Sequence, residues 1–262
     1  MELYLRLGIF LGLFLCLALW ESLSPKRILS QSKTQRWVTN LGILSLNSIS
    51  YRLIFGVSLL GIGFWGQSHD WGIFRWLNLP LWLNFLLGIV ILDGAVWFQH
   101  WVFHKVNILW RLHRVHHTDL DFDVTTGLRF HPLEIFPSMF FKGGVVLLVG
   151  IDPWAALTFE IILNGFSQFT HANVALNPIF ERIFRWIFVT PDMHRIHHST
   201  LREEHNRNFG FSFSFWDRLF KTYQAQPRQA HETMEIGIHH YRDPSRLQLG
   251  RLLTQPFERT PS

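Results

Sequence analysis

Charge is nearly absent from the first hundred residues. Eleven Asp, Glu, Lys or Arg side chains occur in 1–104, against thirty-two in 105–262. Ionised groups are costly in hydrocarbon, so long uncharged runs mark helices that cross a bilayer. Leu3 to Trp20 carries only Arg6. Eighteen helical residues rise about 27 Å, close to a ~30 Å hydrocarbon core, and Arg6 can snorkel from its position near the end. Glu2 before this run and Trp20-Glu21 after it differ from the basic flank and small-residue cleavage site of a signal peptide, so a retained helix is expected. Trp37 to Gly66 carries only Arg52, and Trp76 to Phe103 only Asp93; both can span with some tilt. Residues 135–170 carry Lys142, Asp152 and Glu160 and break at Gly150-Ile-Asp152-Pro153. They read as a short helical hairpin that dips into the membrane and returns, or as a re-entrant pair. The fold class expected is all-α: a polytopic membrane protein with a cytoplasmic, histidine-rich helical cap.

Loop charge sets the orientation. Ser22–Asn40 holds Lys26, Arg27, Lys33 and Arg36, whereas Gln67–Arg75 balances one base against one acid. By the positive-inside rule the first loop is cytoplasmic. The third helix then delivers His100 and His104 to the cytoplasmic side, where the later histidines also lie. Three segments follow: N-terminal transmembrane helices in 1–84, a histidine-rich unit with the hairpin in 85–223, and a polar tail in 224–262.

Composition excludes several classes. Charged residues are 16% of the chain, against about 25% in an average soluble domain, with 12 Trp and 25 Phe. The net charge of +5 comes with so much apolar length that a membrane surface, not nucleic acid, is the expected partner. One cysteine, Cys16, allows neither an internal disulfide nor a thiolate cluster. Gly61-Ile-Gly63-Phe-Trp-Gly66 matches G-x-G-x-x-G but lies inside an apolar run, with no strand before it and no acid about 20 residues on. It reads as small residues for helix packing.

Fifteen histidines are the unusual number, and eight of them fall in three clusters. These are His100-Trp-Val-Phe-His104, His113-Arg-Val-His116-His117 and His194-Arg-Ile-His197-His198. Residues four apart share a helix face, whereas neighbours diverge by about 100°. His116 and His117 can therefore serve two different metals. A structural zinc closes with four ligands, so eight to ten imidazoles are too many for one ion. Two metals with four or five nitrogens each is the economical arrangement. His131 and His171 are further candidates, whereas His69, His205, His231, His239 and His240 read as surface residues. Asp93 lies seven residues before His100, on its face and about 10.5 Å deeper, where an acid reads as an acceptor for the N–H of a histidine on another helix.

Spread over membrane helices and a cap, these clusters resemble the fatty acid hydroxylase/sterol desaturase superfamily. The likeness runs in order through Asp93, Trp110-Arg-Leu-His113-Arg-Val-His116-His117, Arg129-Phe-His131-Pro-Leu-Glu134, Thr190-Pro-Asp-Met-His194-Arg-Ile-His197-His198, Asn206-Arg-Asn208-Phe-Gly210 and Trp216-Asp217-Arg-Leu-Phe220. It covers roughly residues 85–223 and is nearest the alkylglycerol-monooxygenase-like branch. The resemblance implies a membrane-bound non-haem oxidoreductase with two iron ions, which hydroxylates or desaturates a lipid with O2. The expected site comprises Asp93, Glu134 and Asn208 as catalytic side chains. Its expected metal ligands are His100, His104, His113, His116, His117, His131, His171, His194, His197 and His198. Two positions depart from the pattern. Ala175 stands where fatty acid 2-hydroxylases have a further histidine, and Lys221 follows Phe220 where glycine is usual.

The chain has no E-x-x-H pair, which excludes the ferritin-like di-iron arrangement. Breaking an unactivated C–H bond needs a redox metal, which favours iron over zinc. The two electrons required must come from a separate donor, a ferredoxin, a small cytochrome or a reduced pterin. Phe209, Phe211, Phe213, Phe215 and Trp216 are candidate walls of a lipid path, and Arg111, Arg114, Arg182, Arg185, Arg195 and Arg202 are candidate donor contacts. The rivals are a zinc-dependent membrane hydrolase using Glu134 or Asp192 as base, a membrane cytochrome, and a carotenoid hydroxylase-like oxygenase.

Overall fold

A computed structural model describes residues 2–258. Among them helices are the only extended elements, and strand-like pairing is limited to isolated bridges such as Pro25 with Val174. The chain opens with α1 (Glu2–Leu23), α2 (Lys33–Ile54), α3 (Leu59–Ser68), α4 (Ile73–Trp76), α5 (Leu81–Lys105) and α6 (Asn107–His117). The hairpin α7 (Ile135–Val149) and α8 (Pro153–His171) follows. Short helices then form the cap: α9 (Pro178–Phe184), α10 (Pro191–His197), α11 (Arg202–His205), α12 (Phe215–Leu219) and α13 (Leu249–Thr254).

Four stretches are long and apolar enough to cross a bilayer: Glu2–Leu23, Lys33–Trp76, Leu81–Lys105 and Pro132–Val149. Their outward faces are apolar, with Leu15, Leu19, Leu81, Trp82, Phe140 and Leu148 all exposed. Such a girdle belongs in lipid, and the protein is an integral membrane protein.

The expected single span over Trp37 to Gly66 is instead two helices. Gly56 takes φ +59°, Ser58 Oγ accepts from Gly61 N, and α3 restarts after the break. Its ten residues rise only about 15 Å, so α2 and α3 cover the distance as a kinked pair.

Residues 135–171 form the expected helical hairpin. Asp152 caps α8 through Trp154 N and Ala155 N, and Asn84 bonds the turn through Gly150 O and Asp152 N. The tip therefore lies level with the first turn of α5. Gly72, at φ +111°, lies against Gly150 so closely that a Cβ there would sit 2.3 Å from the Gly150 Cα. Only glycine permits that approach.

The opposite end carries the histidines, and α2 explains how it is held. Its buried residues Arg36, Asn40, Ile43 and Asn47 recur on one face. The polar three clamp the segment that follows α6. Arg36 pairs with Asp119, Asn40 donates to Thr125 Oγ1, and Asn47 donates to Phe130 O. From α1, Glu21 accepts from Val124 N and Asn173 N. The loop after α1 also joins this end, because Ser30 N and Gln31 N donate to Asp121. The segment read as a polar tail packs as well, with Leu252 buried against Ile43 and Val115.

Candidate metal centre

Two groups of buried or half-buried histidines lie side by side. His100, His104, His113, His117 and His197 form one, and His116, His171, His194 and His198 the other. Within each group, one ligand nitrogen per residue lies within 4.8 Å of all the others. The neighbours His116 and His117 go to different groups, as do His197 and His198. Helix geometry requires this, since adjacent side chains diverge by about 100°.

Hydrogen bonds fix which nitrogen faces inward. His100 Nδ1 donates to Phe209 O at 2.7 Å, and His197 Nδ1 to Arg207 O at 2.7 Å. His171 Nδ1 donates to Ser167 O at 2.6 Å, and His113 Nδ1 to Glu134 Oε1 at 2.7 Å. The Nε2 atoms of His100, His197 and His171, whose Nδ1 partners are backbone carbonyls, therefore carry lone pairs. Yet His100 and His197 bring theirs to 3.0 Å, and His171 Nε2 faces the Nε2 atoms of His116, His194 and His198 at 3.1, 3.1 and 3.2 Å. His113 Nε2 and both nitrogens of His104 and His117 are buried without a hydrogen-bond partner. Burial pushes the His113 imidazole down to about 3, so it stays neutral and able to bind a metal. Ring nitrogens crowded this closely, several of them buried with no protein partner, fit a cation in each group, and an all-nitrogen donor set suits a first-row transition metal.

A cavity of about 250 Å³ touches this centre. His100, His113 and Glu134 form its polar end, and Val96, Phe103, Leu128, Met139 and Phe211 line its apolar wall. A second opening, lined by His104, Lys105, Trp110, Arg202 and His205, reaches the five-histidine group from the polar side.

Residues 85–222 match the fatty acid hydroxylase family. The chain belongs to that family. It is similar to the alkylglycerol monooxygenase of Homo sapiens, 29% identical over 215 residues that cover 76% of this chain and 45% of the relative. It is also similar to the ornithine lipid hydroxylase OlsE of Rhizobium tropici, 29% identical over 74% of this chain and 55% of the relative. Methylsterol monooxygenase 1 of Danio rerio is 32% identical over 57% of this chain and 51% of its own length. The chain thus spans about half the length of the relatives it matches. No solved structure matches.

Within this fatty acid hydroxylase framework several expected roles change. His131 belongs to neither histidine group. Its Nε2 donates to Leu253 O and its Nδ1 accepts from Leu133 N, so it caps the turn at Pro132 and ties it to the C-terminal segment. Asp93 holds no imidazole. Its Oδ2 accepts from Trp216 Nε1 at 3.0 Å and Phe213 N at 3.3 Å, because the cap folds back over α5 before any histidine can reach that depth. Asn208, at φ +52°, donates to Met193 O and Gln224 O and accepts from Gln224 N. It pins the backbone beside His194 and touches neither group. Glu134 does reach the site, as the acceptor that orients His113. Of the aromatic residues expected to wall a lipid path, only Phe211 lines the cavity; Trp216 packs on Gly94 instead.

Two residues escaped the sequence reading. Asp217 accepts from Trp97 Nε1, Phe209 N, Gly210 N and Thr222 Oγ1, and thereby sets the carbonyl that orients His100. The signal was its place in the Trp216-Asp217 block. His205, expected at the surface, lies with its ring 4.7 Å from those of His104 and His117. Burial pushes it down to about 3. Its place between the last histidine cluster and the Asn206-Arg-Asn208 block marked it. By contrast, His231 is buried near Asp192 and Arg195, away from the metal groups, and His239 and His240 are exposed.

Proposed function

We propose that this chain is a membrane lipid hydroxylase that uses two iron ions, O2 and electrons from a separate donor. The observation that carries the reading is the facing of acceptor nitrogens, above all His100 and His197, at the end of an apolar cavity. The named relatives oxygenate alkylglycerols, ornithine lipids and methylsterols, which supports a lipid substrate. His100, His104, His113, His117 and His197 would hold one iron, and His116, His171, His194 and His198 the other. Iron bound there supplies the O2 activation that an unactivated C–H bond requires.

The chain's own residues do the rest. Phe209 O, Arg207 O, Ser167 O and Glu134 hold protons on four Nδ1 atoms and so fix ring tautomer and aim. Val96, Phe103, Met139 and Phe211 exclude water and seat a hydrocarbon chain against His100 and His113. One oxygen atom of O2 leaves as water, so two electrons enter from outside. Cys16 is the one cysteine of the sequence and cannot by itself ligate an iron–sulfur cluster, so the donor is a separate carrier such as a ferredoxin, a small cytochrome or a reduced pterin.

The polar end carrying the loop with Lys26, Arg27 and Lys33 is cytoplasmic by the positive-inside rule. The donor approaches there, at the opening beside His205. Arg111 donates to Glu258 O, Arg114 and Arg195 are buried and Arg185 is paired with Glu181; Arg202 lies at the rim of that opening, with Lys105 beside it. Arg182 lies instead on a segment whose Ile179, Ile183, Trp186 and Ile187 are exposed, a pattern suited to the membrane interface.

Geometry disfavours the hydrolase. Glu134 is committed to His113, and Asp192 is engaged by Arg195 and Lys26. Burial raises the Asp192 carboxyl, but Arg195, His231 and Lys26 together bring it below its usual range, which makes it a poor base. The test is turnover in lipid nanodiscs with isotopically labelled O2 and a reduced carrier. Label in a hydroxylated lipid supports the reading; oxygen derived from labelled water, in a product formed without reductant, contradicts it.

A further inference from the structure

The apolar cavity continues outward. Asn47, Ile135, Lys142, Leu163 and Asn164 line both it and a second cavity of about 720 Å³ between α1, α2, α7 and α8. The two form one path with unlike ends. The inner end is the wall of Val96, Met139 and Phe211 beside His100. The outer end gathers Glu2, Arg6, Arg52, Lys142 and Glu160.

Charge at the outer end does not cancel. Arg6 is spent on both acids, at 2.8 Å from Glu2 and 2.6 Å from Glu160. Among the described residues Lys142 and Arg52 form neither an ion pair nor a side-chain hydrogen bond, although both line the mouth. Lys142, half-buried partway along a membrane-spanning helix, calls for a partner, and Arg52 stands exposed beside the mouth in the last turn of α2. Along α7, Lys142 is eight residues beyond Glu134, a rise of about 12 Å. Along α8, Glu160 is eleven residues before His171, a rise of about 16 Å. The unpaired cations are thus separated from the histidines by a length of apolar wall, the shape of a hydrocarbon chain with a charged head.

We propose that this path takes a membrane lipid with an anionic headgroup, a phosphate or carboxylate, seated at Lys142 and Arg52, its chain running inward to the histidines. This deepens the hydroxylase reading and rests on it for the fate of the chain: the carbon attacked lies along the hydrocarbon, well away from the headgroup.

The test uses the full chain in nanodiscs and two photo-crosslinking lipids with identical diazirine-bearing acyl chains, phosphatidic acid and diacylglycerol. Labelled residues are read by peptide mass spectrometry. The phosphatidic acid probe should label inner-wall residues such as Met139 and Val96 about tenfold more than diacylglycerol does, the effect of one charge-assisted hydrogen bond. Lys142→Gln and Arg52→Gln should each remove most of that preference, and Lys142→Arg should keep it. Equal labelling by the two lipids overturns the anionic headgroup, and absence of cavity labelling by either overturns the path. Displacement of the probe by millimolar inorganic phosphate marks a free-anion site and overturns the lipid assignment. Labelling does not require metal, so metal content measured on the same sample judges the hydroxylase reading separately.

Discussion

The Nε2 atoms of His100 and His197 face each other at 3.0 Å, and each ring has already given its Nδ1 proton to a backbone carbonyl. Two lone pairs that close, on two buried rings, repel unless a cation lies against both. His131 is the contrasting case, because both its nitrogens have protein partners. His131→Gln should therefore keep the metal content of the parent protein and lose stability by about 1 kcal/mol, the worth of a cap. Elemental analysis of the purified variant checks this, and loss of a metal would return His131 to the ligand set.

Glu134 acts through His113. Removing the acceptor frees the ring to turn and weakens its Nε2 as a donor. Glu134→Ala should weaken retention of one metal by about 10–100-fold in a chelator competition, and Glu134→Gln, which still offers an oxygen, by less. Equal retention in all three proteins would show that the 2.7 Å contact has no bearing on the metal.

Asp217 and Asp93 both fasten the cap to α5, but at different places. Asp217 sets Phe209, whose carbonyl aims His100; Asp93 holds Trp216 and Phe213. Asp217→Ala strands several buried donors and should cost about 3 kcal/mol along with metal from the five-histidine group. Asp93→Asn should lower stability while leaving metal content unchanged. Stability in detergent and metal content, measured together, separate the two roles; metal loss in Asp93→Asn would contradict the assignment.

Much of this architecture is legible in the sequence because it follows from short-range rules. Uncharged runs announce α1 and α5, Gly150 to Pro153 announces the hairpin turn, and the 100° step between neighbours splits His116 from His117. What escapes depends on contacts distant in sequence. The break at Gly56 lies inside an apolar run, and Arg52, four residues earlier, reads as a lone charge within a span rather than as the end of α2. Arg36, Asn40 and Asn47 look like polar residues in a spanning helix until the segment from Asp119 to Phe130 arrives to pair with them. Asp93 shares a face with His100, but nothing local tells that Trp216 reaches it first.

Lys221 takes φ +60°, a left-handed conformation that costs a side chain about 1–2 kcal/mol and glycine almost nothing. The resemblance puts glycine at this position, and the backbone shows why. Lys221 enters this turn through its backbone: its N donates to Arg218 O and its carbonyl accepts from Arg207. Lys221→Gly should keep both bonds. After the entropy glycine adds to the unfolded chain, it should gain about 0.5–1 kcal/mol, seen as a thermal midpoint higher by roughly 1–4 °C. A lower midpoint would mean that the lysine side chain makes a stabilising contact.

The most direct test of the two-centre account is metal counting across a pair of adjacent histidines. Protein produced with iron supplementation should hold two irons per chain with a nitrogen-rich shell by X-ray absorption. His197→Ala should lose the iron of the five-histidine group and His198→Ala that of the four-histidine group, leaving about one iron each, with different absorption spectra. One metal or none in the parent protein, or the same residual spectrum in both variants, would contradict two centres.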